Sequence, residues 1–118
     1  MKKREYADYI QDILDAIDSI ENFVKGISLD DFKNDRKTYF AVIRAFEIIG
    51  EAANNAYDGL KDKYPQLPWR QMITMRKKVI HEYFGVDLES VWNTIEQDLP
   101  ELKSHMSNLK AELTIGKQ

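Results

Sequence analysis

The sequence predicts an all-α fold, an up-down four-helix bundle with short extra turns, and three observations carry that expectation. Apolar residues recur at spacings of three and four over most of the chain, the period of a helix with one buried face. No segment shows a competing strand pattern. Only 5 glycines and 3 prolines interrupt 118 residues, too few turn formers for a many-stranded sandwich or barrel. At 43% hydrophobic, a chain of this length can build one packed core. It has no internal repeat, low-complexity tract or linker, so residues 1–118 are expected to form a single domain.

The first helix is predicted over residues 4–25. Tyr6, Ile10, Ile13, Ile17, Ile20 and Val24 form its apolar stripe, and Gly26 is placed to end it. Ser28 can cap a single turn through Phe32. A long helix is expected from about Asp35 to about Lys63, apolar over two adjoining faces. Val42, Phe46, Ile49, Ala53 and Ala56 make one face, and Tyr39, Ile43, Gly50 and Tyr57 the other. The small residues Gly50, Ala52, Ala53 and Ala56 suit close helix packing, either within the chain or against a second subunit. Tyr64-Pro65-Gln66-Leu67-Pro68 breaks the helical period. Pro68 can begin the next helix, expected from Trp69 to Tyr83 or Phe84 and stopped by Gly85. Asp87 can cap the last helix, running to about Leu113, which Pro100 should kink or split.

Composition excludes several chemistries. There is no cysteine, hence no disulfide, thiolate zinc site or cysteine nucleophile. His81 and His105 are the only histidines, so no multi-histidine metal site is expected. No apolar run approaches the ~18 residues of a membrane span, and the N-terminus lacks a signal peptide's apolar region. The expected compartment is the cytoplasm.

Net charge is −3, but its distribution is uneven. From Trp69 to Tyr83, Arg70, Arg76, Lys77 and Lys78 stand against Glu82 alone, giving this segment +3 and leaving −6 on the remainder. A basic helix on an acidic body attracts phosphate or an acidic partner; taken alone it is also an ordinary solvated face. Trp69, Ile73, Arg76, Ile80 and Tyr83 follow spacings of 4, 3, 4 and 3, which puts Arg76 in or beside an apolar stripe. A buried guanidinium needs a partner. Periodicity favours a structural carboxylate, with Glu47 and Glu51 as candidates; the alternative is an external anion. His81 has Lys77 one helical turn before it, a cation that favours neutral imidazole. Such a histidine can be structural, or can serve as general acid or base. Tyr83 reads either as a core aromatic with a wet hydroxyl or as a hydroxyl presented at the cationic site.

Met75-Arg76-Lys77-Lys78-Val79-Ile80-His81-Glu82-Tyr83-Phe84-Gly85-Val86-Asp87 resembles the core motif of the HepT-like branch of the HEPN family: Arg, four residues, His, any residue, Tyr. The resemblance extends over nearly the whole chain. Asp35-Arg36-Lys37-Thr38, Ile48-Ile49-Gly50-Glu51-Ala52-Ala53, Tyr64-Pro65-Gln66-Leu67-Pro68-Trp69-Arg70, Val91-Trp92 and Asp98-Leu99-Pro100-Glu101-Leu102 look like the family's flanking segments, in order.

This resemblance implies a HEPN four-helix bundle and a two-fold homodimer with a shared cleft. It implies a metal-independent endoribonuclease with no cofactor, the toxin of a toxin–antitoxin pair, acting on RNA. The implied partner is an MntA-type nucleotidyltransferase that transfers AMP onto Tyr83. In this reading His81 moves protons and Arg76 clamps the scissile phosphate, while Arg70, Lys77 and Lys78 hold the RNA backbone. Tyr83, Phe84 and Trp69 are candidates to stack on an unpaired base. Lys77 departs from the family, which commonly has Asn or Asp there; a lysine adds phosphate affinity or presses on the histidine's charge. The alternative function is a non-catalytic adaptor that binds the nucleotidyltransferase.

Overall fold

The computed structural model describes residues 4–75 and 87–115. Helix α1 spans Tyr6–Val24, α2 Leu29–Asn34 and α3 Arg36–Leu60. Helix α4 opens at Trp69 and is described through residue 75. Helices α5 and α6 span Leu88–Gln97 and Leu99–Ile115. Among the described residues there is no strand, and the fold is all-α as the periodicity predicts.

Local chemistry sets most of the boundaries. Asp8 accepts a hydrogen bond from the Glu5 N–H at 3.0 Å and closes the first turn of α1. The chain leaves α1 through Gly26 at φ +76°, a conformation that a side chain disfavours. Ser28 and Asp31 then exchange reciprocal side-chain to backbone bonds, both 3.1 Å, as a capping box for α2. Asp35 caps α3 by accepting from the Thr38 hydroxyl at 2.6 Å and its N–H at 3.3 Å.

The long helix ends at Leu60, short of the expected boundary near Lys63, with residues 61–63 turning toward the proline loop. Pro68 stands immediately before α4 and not inside it, its carbonyl accepting the Met72 N–H at 3.1 Å. Pro100 splits the last helix. It has no N–H to give to the carbonyl one turn earlier, so α5 stops at Gln97 and α6 restarts at Leu99 with Pro100 in its first turn.

The core lies where α1 packs along α3 and α6, with α5 beside α6. Ile10, Ile13, Ile17 and Ile20 of α1 and Val42, Phe46, Ile49, Ala53 and Ala56 of α3 are fully buried. Gly50 and Ala52 are buried too. Packing inside one chain therefore accounts for the small residues of α3. Phe32 of α2 packs its ring 5.3 Å from Trp92 and 6.4 Å from Tyr39, pinning α5 to the start of α3. Lys103 of α6 bridges Glu21 and Asp18 of α1 at 2.8 and 3.3 Å. Among the described residues no helix is long and apolar enough to cross a membrane.

Candidate active site

Everything needed to launch α4 is local to the proline loop. Tyr64 is buried, and its carbonyl accepts the Trp69 indole N–H at 2.9 Å and the Leu67 N–H at 3.3 Å. The indole is 4% exposed and meets the Tyr57 ring edge-to-face at 6.1 Å. This ties the first residue of α4 to the last turns of α3. Trp69, Met72 and Met75 form the buried side of α4, with Ile73 at its edge, while Arg70, Gln71 and Thr74 face out. On the other side of the motif, Asp87 caps α5 by accepting from the Ser90 hydroxyl at 2.6 Å and its N–H at 3.1 Å. These bonds, the hydroxyl's foremost, hold the Asp87 carboxyl below its ordinary value. Met75 and Leu88, which flank the motif stretch, are both buried in the core.

Of the candidate residues, Arg70 is described: it is exposed on α4, and its carbonyl accepts the Thr74 hydroxyl at 2.7 Å. Arg76, Lys77, Lys78, His81 and Tyr83 lie outside the described residues, as do Phe84 and the proposed stop at Gly85. So does the expected pairing of Arg76; of its two candidate partners, Glu47 meets Arg44 at 3.3 Å and Glu51 is exposed. Trp69 is not a stacking platform. Its ring is inside the core and its one donor is spent on Tyr64.

Two grooves flank the start of α4, and their linings differ in charge. One, of about 600 Å³, lies between the end of α3 and α4 and carries Lys61 and Arg70 against Asp62, over Tyr57, Leu67 and Ile73. The other, of about 420 Å³, lies between α4 and α6. It has Leu67, Met72 and Met75 as its apolar part and Asp98, Glu101 and His105 on its polar side, His105 standing 3.7 Å from Glu101. Phosphate is favoured at the first and opposed at the second. Sequence reasoning found Arg70 but missed Lys61 and Tyr57, because no periodicity links the last turn of α3 to α4 across the loop. Among the described residues no three metal-ligating side chains converge.

An all-helical bundle whose proline loop opens α4, in a sequence that continues into an Arg-x4-His-x-Tyr string, defines the class of protein. Residues 13–109 match the family described as ribonuclease HepT-like, and the chain belongs to that family. Among its relatives is a Thermococcus cleftensis protein named "Probable ribonuclease HepT", 49% identical over 108 residues, which covers 92% of this chain and 98% of that one. A Methanocaldococcus jannaschii protein named provisionally as an RNase is 38% identical over 113 residues, 96% of this chain and 97% of its own. A Caldanaerobacter subterraneus protein, likewise provisionally named an RNase, is 39% identical over 101 residues, 86% of this chain and 90% of its own. No solved structure matches the chain.

Proposed function

We propose that this protein is an endoribonuclease, the toxin of a HEPN and nucleotidyltransferase pair, acting as a homodimer in the cytoplasm. The observation that carries the reading is the family match across residues 13–109, which contains Arg76, His81 and Tyr83 intact. The whole chain, residues 1–118, acts as one HepT-like domain.

The chemistry follows from the residue types. RNA brings its own nucleophile, the 2′-hydroxyl. His81 of one protomer accepts its proton as the oxygen attacks the adjacent phosphorus, and the histidine of the second protomer protonates the departing 5′-oxygen. Arg76 balances the extra negative charge of the pentacoordinate phosphate. Arg70, Lys77 and Lys78 hold neighbouring phosphates. The products are a 2′,3′-cyclic phosphate and a 5′-hydroxyl. A two-fold dimer supplies the second histidine that one chain lacks, and this route uses no metal or cofactor.

Tyr83 is the control point. A partner nucleotidyltransferase transfers AMP from ATP to its hydroxyl and releases pyrophosphate. The added nucleotide brings bulk and negative charge to the place where RNA phosphate must bind. Lys77, in place of the family's usual Asn or Asp, favours a second reading: an adaptor that binds the nucleotidyltransferase without cutting RNA.

Induced expression in a bacterial host without the partner separates the two. The ribonuclease reading predicts arrested growth with wild type and normal growth with His81→Ala. Equal growth of both, with no RNA cut by purified wild type, supports the adaptor. Intact-mass measurement after incubation with the nucleotidyltransferase and ATP is expected to show AMP on wild type and none on Tyr83→Phe. Light scattering at micromolar concentration is expected to give a dimer mass; a monomer contradicts the shared cleft.

A further inference from the structure

We infer that the groove between the end of α3 and the start of α4 is a nucleotide subsite for the RNA strand beside the scissile phosphate, with Lys61 and Arg70 on the backbone and Tyr57 against a base. This rests on the ribonuclease reading and adds to it residues outside the motif.

Four observations carry it. The groove holds about 600 Å³, within the size range of small-ligand sites and large enough for a nucleotide. Its two cations are held by nothing stronger than exposed contacts. Among the described residues Arg70 has no carboxylate partner, and Lys61 is 43% exposed with only a 3.7 Å approach to Asp58, itself 92% exposed. So open an ion pair contributes little and gives way readily to phosphate. The apolar side of the groove contains an aromatic ring, Tyr57, half-buried against Trp69; the Lys61 ammonium lies over it, 5.3 Å from the centroid, and a base takes that place when Lys61 turns to a phosphate. A ring held rigidly at the edge of a cationic groove is the device by which proteins bind single-stranded RNA without reading its sequence. Finally, the groove adjoins the motif in sequence. Thr74 lines it and precedes Arg76 by two residues. Successive α-carbons are 3.8 Å apart, so Thr74 and Arg76 are within roughly 7.6 Å by chain connectivity alone. On this reading one strand spans the groove and the motif arginine. Asp62 also lines the groove, which leaves the site modestly cationic and suits a strand that must leave after cleavage.

The test is binding of a short fluorescent single-stranded RNA in which 2′-O-methyl groups replace the nucleophile, so the intact protein binds without cutting. Arg70→Glu and Lys61→Glu are each expected to weaken binding on the order of tenfold at low salt, and to make the dependence on log salt shallower by about 0.7 for each phosphate that is no longer neutralised. Tyr57→Leu is expected to weaken binding by about fivefold or more with the salt dependence unchanged, because stacking releases no counterions. Lys33→Glu, an exposed reversal on α2, is expected to bind as wild type. Circular dichroism confirms that each variant is folded, and the exposed Arg70→Gln serves if a reversal disturbs α4. Wild-type affinity in all groove variants, while wild type binds and cuts unmodified RNA, overturns the subsite and leaves the ribonuclease reading standing. No binding of any RNA by wild type overturns both.

Discussion

The two sides of α4 are built from the same helix and the same loop, yet they present opposite charge. Toward α3 the helix shares a groove with Lys61 and carries Arg70. Toward α6 it shares one with Asp98, Glu101 and His105. Their apolar parts are alike, with Leu67 common to both. What distinguishes them is the polar side, Lys61 and Arg70 in one and Asp98, Glu101 and His105 in the other. Shape alone therefore does not choose between the grooves, whereas charge does: a polyanion gains Coulomb energy on one side of α4 and loses it on the other.

The strongest way to break the comparison is to exchange the signs. Lys61→Glu with Arg70→Glu is expected to lower single-stranded RNA affinity by roughly a hundredfold at low salt, with the loss shrinking as salt rises. Glu101→Lys, on the opposite side, is expected to leave affinity unchanged or raise it slightly. Fluorescence anisotropy over a salt series checks both. Equal losses from the two sides contradict the assignment of charge to function.

Smaller effects test what holds the two sides apart. Gly26→Ala, remote from α4, meets no atom within 4 Å but places a side chain at φ +76°. It should lower stability by roughly 1–2 kcal/mol in chemical denaturation without changing RNA affinity. Trp69→Phe keeps an aromatic ring but removes the donor to the Tyr64 carbonyl. That carbonyl retains the Leu67 N–H, so the cost should be about 1 kcal/mol. Here RNA affinity should fall with stability, because the bond sets the wall between the grooves.

Acid provides the smallest effect. Asp35 and Asp87 titrate below their ordinary value, first because the Thr38 and Ser90 hydroxyls donate to them and then because the backbone does. A lowered folded-state value means that the caps stabilise above the unfolded carboxyl value and that this contribution is lost as pH falls through the folded value. Between about pH 5 and pH 2, the melting temperature of wild type should therefore fall more steeply than that of Asp35→Asn/Asp87→Asn, whose caps do not titrate.

The sequence made the local decisions legible. Ser28 and Asp87 cap helices, Gly26 takes the left-handed turn, Pro100 divides the last helix, and the isoleucines of α1 are buried. Each depends on a few neighbouring residues, so spacing and side-chain chemistry suffice. The groove was not legible because it depends on a fold-back. Only when the Trp69 indole reaches the Tyr64 carbonyl do Tyr57 and Lys61, at the end of α3, come to line the same groove as Arg70. Trp69 itself shows the opposite failure. It was one of three candidates to stack on a base, but its place on the apolar stripe with Ile73 puts it in the core. For the candidate site, the residue types of the motif were plain in the sequence, while of the catalytic, modification and phosphate-binding candidates the described structure places Arg70 alone.

The most direct measurement of the central claim is cleavage of a defined single-stranded RNA by purified wild type and His81→Ala in the presence of a chelator, with the new ends identified by mass. The account predicts 2′,3′-cyclic phosphate and 5′-hydroxyl ends with wild type and a rate lower by about 10²- to 10⁴-fold with His81→Ala. An intact RNA with wild type, or equal cleavage by both proteins, contradicts it.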